Sequence, residues 1–433
     1  MSALYTALLW LAVPFAIARL LWRSRRQVAY RHHLRERLGF VPALPPGPVL
    51  WIHAVSLGET RAAEPLVRWA RQRLPSARIL LTHTTPTGRQ AGRDLFGSDV
   101  VQAWLPWDLP FAMKRFFKRA HPSLGLVMET EVWPNLLAAA NRTGTPVFLV
   151  NARLSERSAA RYARGRGFAR DVMGRFAGIA AQTDADARRL EALGAKSVAV
   201  TGNLKFDVAL PEDLQARAGQ LRAWAGAGRC VWVMGSTREG EEALLVEALT
   251  RAALPPEVLV LIVPRHPQRF DEVAALIERV AGLAPRRSAG GIVPATARFA
   301  LGDSMGEMMA YYSAAEVAFV GGSLLPFGGQ NLIEACATGR PVLIGRHTFN
   351  FSAAAEEALR RGAALRVDDV TELIHAALAL TRDPIRRASL GEAALAFTRE
   401  NRGALDRLAS WLEPALDAIR GRAPGSPAPD RAP

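Results

Sequence analysis

Residues 318–351, with the sequence AFVGGSLLPFGGQNLIEACATGRPVLIGRHTFNF, decide the fold of the second half of this chain. Strands are predicted at 317–320 and 341–344, with a helix beginning near Asn331 between them. Glycine permits positive φ and close approach of a ligand, and a helix N-terminus offers unpaired N–H groups to an anion. The stretch therefore predicts a nucleotide-binding loop. An ordinary capped helix, with Asn331 and Glu334 as the capping pair, is the alternative.

The same alternation of strand and helix extends outward from this stretch over most of the 433 residues. Short apolar strands separated by helices are typical of doubly wound parallel sheets, and the chain is longer than one ordinary domain. We therefore predict an α/β fold with two Rossmann-like domains that face a cleft. The predicted strands are 49–53, 78–82, 100–104, 124–128, 146–150, 178–181 and 198–201, then 230–234, 258–263, 298–301, 317–320, 341–344 and 364–367.

The amino-terminal residues predict a membrane anchor. An apolar run from Ala3 to Trp22 precedes a cluster of arginines, namely Arg23, Arg25, Arg26, Arg31, Arg35 and Arg37. The run is near the length of a membrane span, so it predicts a transmembrane or in-plane helix; a buried core helix is the alternative. In a cleaved signal peptide the basic residues come first, whereas here they follow. The arginines predict that the rest of the chain lies on the cytoplasmic side of the membrane. They also predict contact with anionic lipid headgroups.

These patterns predict seven segments. They are a membrane anchor helix at 1–22, a basic juxtamembrane segment at 23–47, a first Rossmann-like domain at 48–207, a linker at 208–228, a second Rossmann-like domain at 229–400, a terminal helix at 401–420 and a disordered tail at 421–433.

Composition limits the classes of function. The net charge of +15 predicts an acidic partner, but no zinc-ligand spacing or aromatic–basic RNA-binding signature favours nucleic acid. The chain has only two cysteines, Cys230 and Cys336, both beside apolar runs, so no disulfide framework is expected. Neither a Walker A lysine motif nor a G-x-G-x-x-G after the first strand is present.

Charged side chains follow several strands of the first domain. Glu59 ends the loop AVSLGE, where it is placed to take a proton from a hydroxyl or simply to stabilise a helix N-terminus. The motif METEVWPN at 128–135 offers Glu129 and Glu131, and the sequence does not decide which carboxylate faces the cleft. A cap for the helix that follows is the alternative role of Glu131. Asn151 begins the polar stretch NARLS. Lys205, in TGNLKFD, is either a counter-charge for an anionic sugar or an exposed lysine.

Strand ends of the second domain carry a comparable set. Ser236, in GSTREG, fits a Ser-x-x-Glu capping box and an anion cradle equally well. Arg265 follows Pro264 at the end of a strand, where a guanidinium is placed to make paired hydrogen bonds to phosphate. The residues Met305, Gly306 and Glu307 are predicted to begin a helix.

Taken together and in order, these motifs resemble the family of 3-deoxy-D-manno-octulosonic acid (Kdo) transferases, from LYTALL at 4–9 to about Glu413. These are GT-B glycosyltransferases that add Kdo to lipid A precursor. The resemblance implies that Glu59, in the S-x-G-E motif, is the general base. It implies that Glu129 and Lys205 support the transition state. Asn203 stands where family members often have serine, a small departure.

For the second domain the resemblance implies a binding site for CMP-Kdo. Arg265 with Pro264 would bind the nucleotide, and the loop of Met305, Gly306 and Glu307 would contact its cytosine. Other residues implied to enclose CMP are Ser236, Asn331, Leu332, Ile333 and Glu334.

The expected reaction is transfer of Kdo from CMP-Kdo to a sugar hydroxyl of lipid A precursor (lipid IVA), with inversion. No cofactor or metal is expected, because Arg265, Lys205 and helix N-termini would neutralise the leaving phosphate. The expected location is the cytoplasmic face of the inner membrane, in contact with anionic lipids and without nucleic acid. The main alternative is another GT-B enzyme of lipopolysaccharide core synthesis, of heptosyltransferase type with an ADP-sugar. A Rossmann oxidoreductase and a membrane scaffold are weaker alternatives.

Overall fold

The computed structural model describes residues 2–45, 47–208 and 210–420. These residues form two compact units, one comprising 2–207 with 402–420 and the other 208–401. The predicted linker residues are therefore part of the second unit, and the terminal helix packs with the first. The predicted tail at 421–433 lies outside the described residues.

Each unit contains one parallel sheet, which confirms the prediction of two parallel-sheet α/β domains. The first sheet has the order β3-β2-β1-β4-β5-β6-β7 and the second the order β10-β9-β8-β11-β12-β13. The strands are β1 (Val49–His53), β2 (Arg78–His83), β3 (Val101–Trp104), β4 (Leu124–Met128), β5 (Val147–Ala152), β6 (Gly178–Ala181), β7 (Val198–Val200), β8 (Cys230–Thr237), β9 (Val258–Pro264), β10 (Phe299–Leu301), β11 (Val317–Val320), β12 (Val342–Ile344) and β13 (Leu365–Arg366).

Helices cover both faces of each sheet, so the central strands are buried on both sides, as their continuous apolar sequences require. The helices are α1 (Ser2–Arg26), α2 (Leu57–Ala62), α3 (Glu64–Arg73), α4 (Pro86–Phe96), α5 (Pro110–Ala120), α6 (Pro134–Arg142), α7 (Glu156–Ala163), α8 (Arg166–Met173), α9 (Asp184–Ala192), α10 (Leu214–Ala225), α11 (Glu241–Arg251), α12 (Phe270–Ala281), α13 (Met308–Ala314), α14 (Leu332–Ala337), α15 (Ser352–Arg360), α16 (Val370–Arg382), α17 (Pro384–Asn401) and α18 (Ala404–Arg420).

Helix α1 is long and apolar enough, over Ala3–Arg25, to cross a membrane by length and composition. Its first turn is also joined to the body of the first unit. The Tyr5 hydroxyl donates to Oδ2 of Asp108 at 2.9 Å, and the Thr6 hydroxyl donates to Oδ1 of Asn135 at 3.1 Å. The opposite side of the helix is exposed, with Leu11 at 77% of its maximum. The helix thus has one attached side and one free apolar side.

The segment predicted to be a basic juxtamembrane stretch is partly built into the first unit. Arg37 is buried, with its guanidinium 4.5 Å from the ring centre of Trp104. Glu36 is buried too, where it accepts from Nη1 of Arg89 at 2.7 Å and from the backbone N–H of Trp104 at 2.8 Å. The prediction that Arg37 faces headgroups is therefore wrong, because its charge is stacked on an aromatic ring inside the fold.

Candidate active site

Glu59 lies in the first turn of α2, just after the loop that leaves β1. Its Oε2 accepts from the backbone N–H of Val55 at 2.9 Å, and its Oε1 accepts from the Ser56 hydroxyl at 3.2 Å. The Ser56 side chain in turn accepts from the backbone N–H of Glu59 and caps the helix. This reciprocal pattern is a close variant of the capping box, so the S-x-G-E motif also has a structural role.

The carboxyl group of Glu59 is tuned toward neutral pH. Burial raises its pKa to about 7, and the charge of Glu129 adds to the effect, while the bonds from Val55 and Ser56 oppose it. Since an ideal general base has a pKa near the working pH, the environment of Glu59 suits it to accept a proton.

Glu129 is the first residue after β4 and has a left-handed backbone conformation, with φ of 57°. Such a conformation is costly for a residue with a side chain and is concentrated at functional sites. The side chain is buried and lies between two cations, with Oε1 2.8 Å from Nζ of Lys205 and Oε2 3.2 Å from Nε of Arg153. The first unit therefore brings Glu129 and Lys205 together as an ion pair.

Lys205 is held in place by two asparagines. It lies in a short 3₁₀ helix, Leu204–Phe206, whose first residues are bonded by side-chain amides. Oδ1 of Asn203 accepts from the backbone N–H of Lys205, and Oδ1 of the buried Asn151 accepts from the backbone N–H of Leu204, both at 3.0 Å. Asn203, at the position where the family often has serine, thus supplies the cap that a serine oxygen would also supply.

Glu131 points toward β1. The predicted capping role is wrong, because α6 has Trp133 at its N-cap position with no side-chain cap. Instead Oε2 of Glu131 accepts from Nε1 of Trp133 at 2.8 Å and lies 4.0 Å from Nε2 of His53. Burial raises the pKa of Glu131.

In the second unit, Ser236 belongs to the end of β8 and not to a helix cap. Helix α11 begins at Glu241, and its N-cap residue is Gly240, so the predicted capping box is wrong. Ser236 has a φ of 54° and donates its hydroxyl to Sδ of Met308 at 3.4 Å. Strand β8 is three residues longer than predicted, so Ser236 lies within the strand and not in the turn that was expected there.

Glu241 holds the glycine loop of the second unit, a role that the sequence analysis missed. Its buried carboxylate accepts from the backbone N–H groups of Gly322 at 2.6 Å, Arg238 at 2.9 Å and Leu324 at 3.0 Å. A Cβ on Gly321 would lie 2.7 Å from the Cα of Thr237, so only glycine fits where the two loops meet. The sequence feature that could have indicated this role is the pair of glutamates, Glu241 and Glu242, that follows Gly240.

Arg265 directly follows β9, as predicted, and Pro264 is the last residue of that strand. The backbone N–H of Arg265 donates to the carbonyl of Thr237 at 3.0 Å, which joins the β8 and β9 loops. Arg265 therefore lies next to the end of β8.

The residues Met305, Gly306 and Glu307 precede α13 and do not form its first turn, because the helix begins at Met308. Met305 is 62% exposed. Gly306 has a φ of 77°. Glu307 accepts a hydrogen bond from the Ser304 hydroxyl. The loop thus presents an exposed apolar side chain on a turn that depends on glycine.

Asn331 and Glu334 form the capping pair that the sequence offered as the alternative. Oδ1 of Asn331 accepts from the backbone N–H of Ile333 at 3.1 Å, and its Nδ2 donates to Oε1 of Glu334 at 2.9 Å. Leu332 and Ile333 are buried and contribute packing. Glu334 is therefore oriented by Asn331 and retains Oε2 as a further acceptor.

Among the residues that the structure describes, no group of three or more histidine, cysteine, aspartate and glutamate side chains is arranged to hold a metal ion.

Comparison with known proteins identifies the family. The model of the 3-deoxy-D-manno-octulosonic-acid transferase (kdotransferase) family matches residues 32–208. The 3-deoxy-D-manno-octulosonic acid transferase of Bordetella pertussis is 50% identical over 415 residues, which cover 90% of this chain and 95% of the relative. The enzyme of the same name from Haemophilus influenzae is 37% identical over 420 residues, covering 95% and 98%.

Solved structures with low identity share the fold. UDP-GlcNAc 2-epimerase from Neisseria meningitidis has a TM-score of 0.56 at 15% identity, and it covers 85% of this chain and 100% of its own. A glycosyltransferase from Rickettsia africae has a TM-score of 0.54 at 14% identity, covering 88% and 100%. These structures indicate the fold only, whereas the proteins with similar sequences indicate the function. Because half of the aligned residues are shared with a Kdo transferase over nearly its whole length, this chain belongs to the 3-deoxy-D-manno-octulosonic acid transferases, a family of glycosyltransferases.

Proposed function

We propose that this Kdo transferase takes Kdo from CMP-Kdo and delivers it to a sugar hydroxyl of lipid A precursor (lipid IVA), with Glu59 as the general base and with inversion. The observation that carries the proposal is the half-buried carboxyl of Glu59, whose pKa of about 7 suits proton transfer at neutral pH. The ionised carboxylate removes the proton of the acceptor hydroxyl. The oxygen then attacks the anomeric carbon, and CMP departs with the electron pair of the broken bond.

Glu129 and Lys205 support this step electrostatically. Their ion pair is almost entirely removed from water, with 6% of the Glu129 side chain and 16% of the Lys205 side chain exposed. Groups that are fixed before the reaction stabilise developing charge without reorganising, and they act most strongly where water is excluded. The asparagine bonds at Leu204 and Lys205 supply that fixed geometry.

The donor site in this proposal is formed by residues of the second unit. Arg265 binds the phosphate of CMP, Ser236 and Glu334 supply further hydrogen bonds, and the 305–307 loop contacts the base. A guanidinium is suited to phosphate because it offers paired donors in one plane. We propose that cationic side chains neutralise the leaving phosphate and that no metal or other cofactor takes part.

Two experiments test the reaction. Incubation of the full chain with CMP-Kdo and lipid IVA, followed by mass spectrometry of the lipid, is expected to show a product heavier by Kdo. CMP is expected to raise the melting temperature, since a ligand that binds only the folded state stabilises it, and ADP is expected to have no effect. Stabilisation by ADP alone would favour a heptosyltransferase-like donor and contradict the proposal.

Arg265→Ala is expected to weaken binding of CMP by about 1.5–3 kcal/mol, because a charged hydrogen-bond partner is lost. This corresponds to about 10–150-fold in Kd. Glu334→Ala is expected to weaken binding by a smaller amount within the same range, since the loss of Glu334 also frees the amide of Asn331. Titration calorimetry measures both.

The matched controls for these variants are Arg279→Ala and Glu278→Ala, which change exposed residues of α12 in the same unit. The controls are expected to bind CMP as the unaltered protein does. Unchanged affinity in both Arg265→Ala and Glu334→Ala would move the donor site elsewhere.

We further propose that α1 anchors the enzyme at the inner membrane, with the catalytic units on the cytoplasmic side and arginines near anionic headgroups. The exposed apolar side of α1, including Leu11 and Phe15, supports the anchor. Arg23, Arg31 and Arg35 remain exposed after Arg37 is excluded. A lipid acceptor makes such attachment useful, since it keeps the enzyme at the surface where its substrate lies.

Deletion of residues 2–22 is expected to release much of the protein from anionic vesicles, with the melting temperature lowered only slightly. Asp108 loses the Tyr5 hydroxyl but keeps the backbone N–H groups of Asn135 and Leu136. Residual binding through exposed arginines is expected to fall with salt, because the Debye length shrinks from about 10 Å at 0.1 M to about 3 Å at 1 M. Vesicle flotation measures both effects.

The matched variant is the full chain with Leu11→Glu and Phe15→Glu. Both side chains are more than 70% exposed, at 77% and 72%, so the changes spare the attached side of α1. They are expected to lower vesicle binding without lowering the melting temperature. Vesicle binding that survives these changes, with early unfolding of the deletion variant, would show that α1 is a core element and not an anchor.

A further inference from the structure

His53 is a buried histidine at the end of β1 that the proposed reaction does not use. Its side chain is 0% exposed, and its Nδ1 lies 3.0 Å from the carbonyl oxygen and 2.9 Å from the hydroxyl of Thr82. A carbonyl oxygen only accepts hydrogen bonds, so Nδ1 carries the proton in this contact. In the neutral ring, Nε2 is therefore the acceptor. No hydrogen-bond donor reaches that buried atom from the residues that the structure describes.

The group opposite Nε2 of His53 is the carboxyl of Glu131. Oε2 of Glu131 lies 4.0 Å from Nε2 and accepts from Nε1 of Trp133 at 2.8 Å; 20% of the Glu131 side chain is exposed. An ionised Glu131 would set a negatively charged acceptor against the lone pair of a second acceptor. A protonated Glu131 would place a donor opposite Nε2, and shortening of the 4.0 Å separation would form the hydrogen bond that Nε2 lacks. Leaving a buried polar atom unpaired is costly, which favours the protonated form.

Other charges near His53 and Glu131 also favour the protonated form of Glu131. Lys205 and Arg153 are both paired with Glu129. Glu59 and Glu129 already contribute negative charge, and ionised Glu131 would add a third carboxylate. Burial raises the pKa of Glu131 and lowers that of His53 to about 3, with His83 lowering it further. A proton shared by the pair therefore resides on the acid.

We propose that Glu131 is a positioning residue that works as an uncharged carboxylic acid, donating its proton to Nε2 of His53. The strands β1 and β4 are neighbours, with His53 paired in register with Val127. The contact therefore joins the loop that carries Glu59 to the loop that carries Glu129. It fixes the spacing of these two carboxylates without adding charge. The inference rests on the proposed roles of Glu59 and Glu129.

The test compares two changes at one position. Glu131→Ala leaves both Nε2 of His53 and Nε1 of Trp133 without a partner, and we expect kcat/KM to fall by about 10–100-fold. Glu131→Gln offers an N–H donor and a carbonyl acceptor, as the protonated acid does, and is expected to restore most of the loss. The pH at which kcat/KM of Glu131→Gln falls on the acid side is expected to match that of the unaltered enzyme, because the substitution removes no charge. Glu257→Gln, an exposed change in the second unit, is the matched control.

A second measurement does not depend on activity. In full-length protein with ¹⁵N-labelled histidine, the His53 signals are assigned by their loss in His53→Gln. At neutral pH we expect Nδ1 to be protonated and Nε2 to be unprotonated. A protonated Nε2, alone or together with a protonated Nδ1, would show donation to an ionised Glu131 and overturn the proposal. So would a folded Glu131→Gln enzyme that is as slow as Glu131→Ala. An active Glu59→Gln enzyme would instead contradict the proposed base and leave the state of His53 unaffected.

Discussion

Glu59→Gln is expected to lower the rate of Kdo transfer by about 10²–10⁴-fold, the usual contribution of a general base. Glutamine keeps the shape of the side chain and can still accept from the backbone N–H of Val55, so the start of α2 should remain capped. It has no basic oxygen that can hold the proton of the acceptor hydroxyl. Single-turnover kinetics with CMP-Kdo and a detergent-dispersed acceptor measure the loss.

Two controls separate loss of the base from loss of the fold. CMP affinity and melting temperature of Glu59→Gln are expected to match those of the unaltered protein, because Glu59 belongs to the first unit and the proposed nucleotide residues to the second. Glu257→Gln, which removes the same charge from an exposed turn, is expected to retain full activity. Near-normal transfer by Glu59→Gln would eliminate this residue as the base.

The pH dependence of the unaltered enzyme follows from the same group. Burial, with the neighbouring charge of Glu129, raises the pKa of Glu59 to about 7. A base acts in its ionised form, so kcat/KM should increase as pH rises through about 7 and fall about tenfold per unit well below it. The residual activity of Glu59→Gln should lack this acid limb. A limb at the same pH in that variant would assign the titration to another group.

The sheets were predictable because their strands are buried on both faces. Each central strand is a continuous run of apolar residues between polar turns, as in Leu124–Met128 and Val317–Val320, and both were predicted at their observed limits. The end of β8 was predicted three residues too early, since Ser236 and Thr237 are polar although they continue the strand. The alternation of strands and helices also sufficed to predict two parallel-sheet domains.

The site was predicted as a set of residue positions and not as a geometry. Glu129 and Glu131 are two residues apart, so in an extended chain both carboxylates would lie on the same side, but the left-handed conformation of Glu129 breaks that pattern. Glu129 can then meet Lys205, which is 76 residues later, and no local pattern indicates that contact. The same holds for Glu241, whose partners at Gly322 and Leu324 are more than 80 residues away.

Lys205→Met is expected to show what the ion pair with Glu129 contributes. The ammonium lies 2.8 Å from a carboxylate that is almost entirely buried, so the substitution leaves that charge with Arg153 as its remaining cationic partner. Removing a fixed charge that supports the transition state typically costs about 10²–10³-fold in kcat. Loss of the partner is expected to lower the free energy of unfolding by about 1–3 kcal/mol.

The double variant Glu129→Gln with Lys205→Met separates the two effects. Removing both charges relieves the unpaired carboxylate, so the free energy of unfolding is expected to recover part of the loss seen in Lys205→Met. Activity is expected to remain at the level of the weaker single variant, because residues that act as one unit are not additive. Lys196→Met, an exposed lysine in the same unit, is the matched control. If the double variant regained activity together with stability, the pair would serve the fold alone and take no part in catalysis.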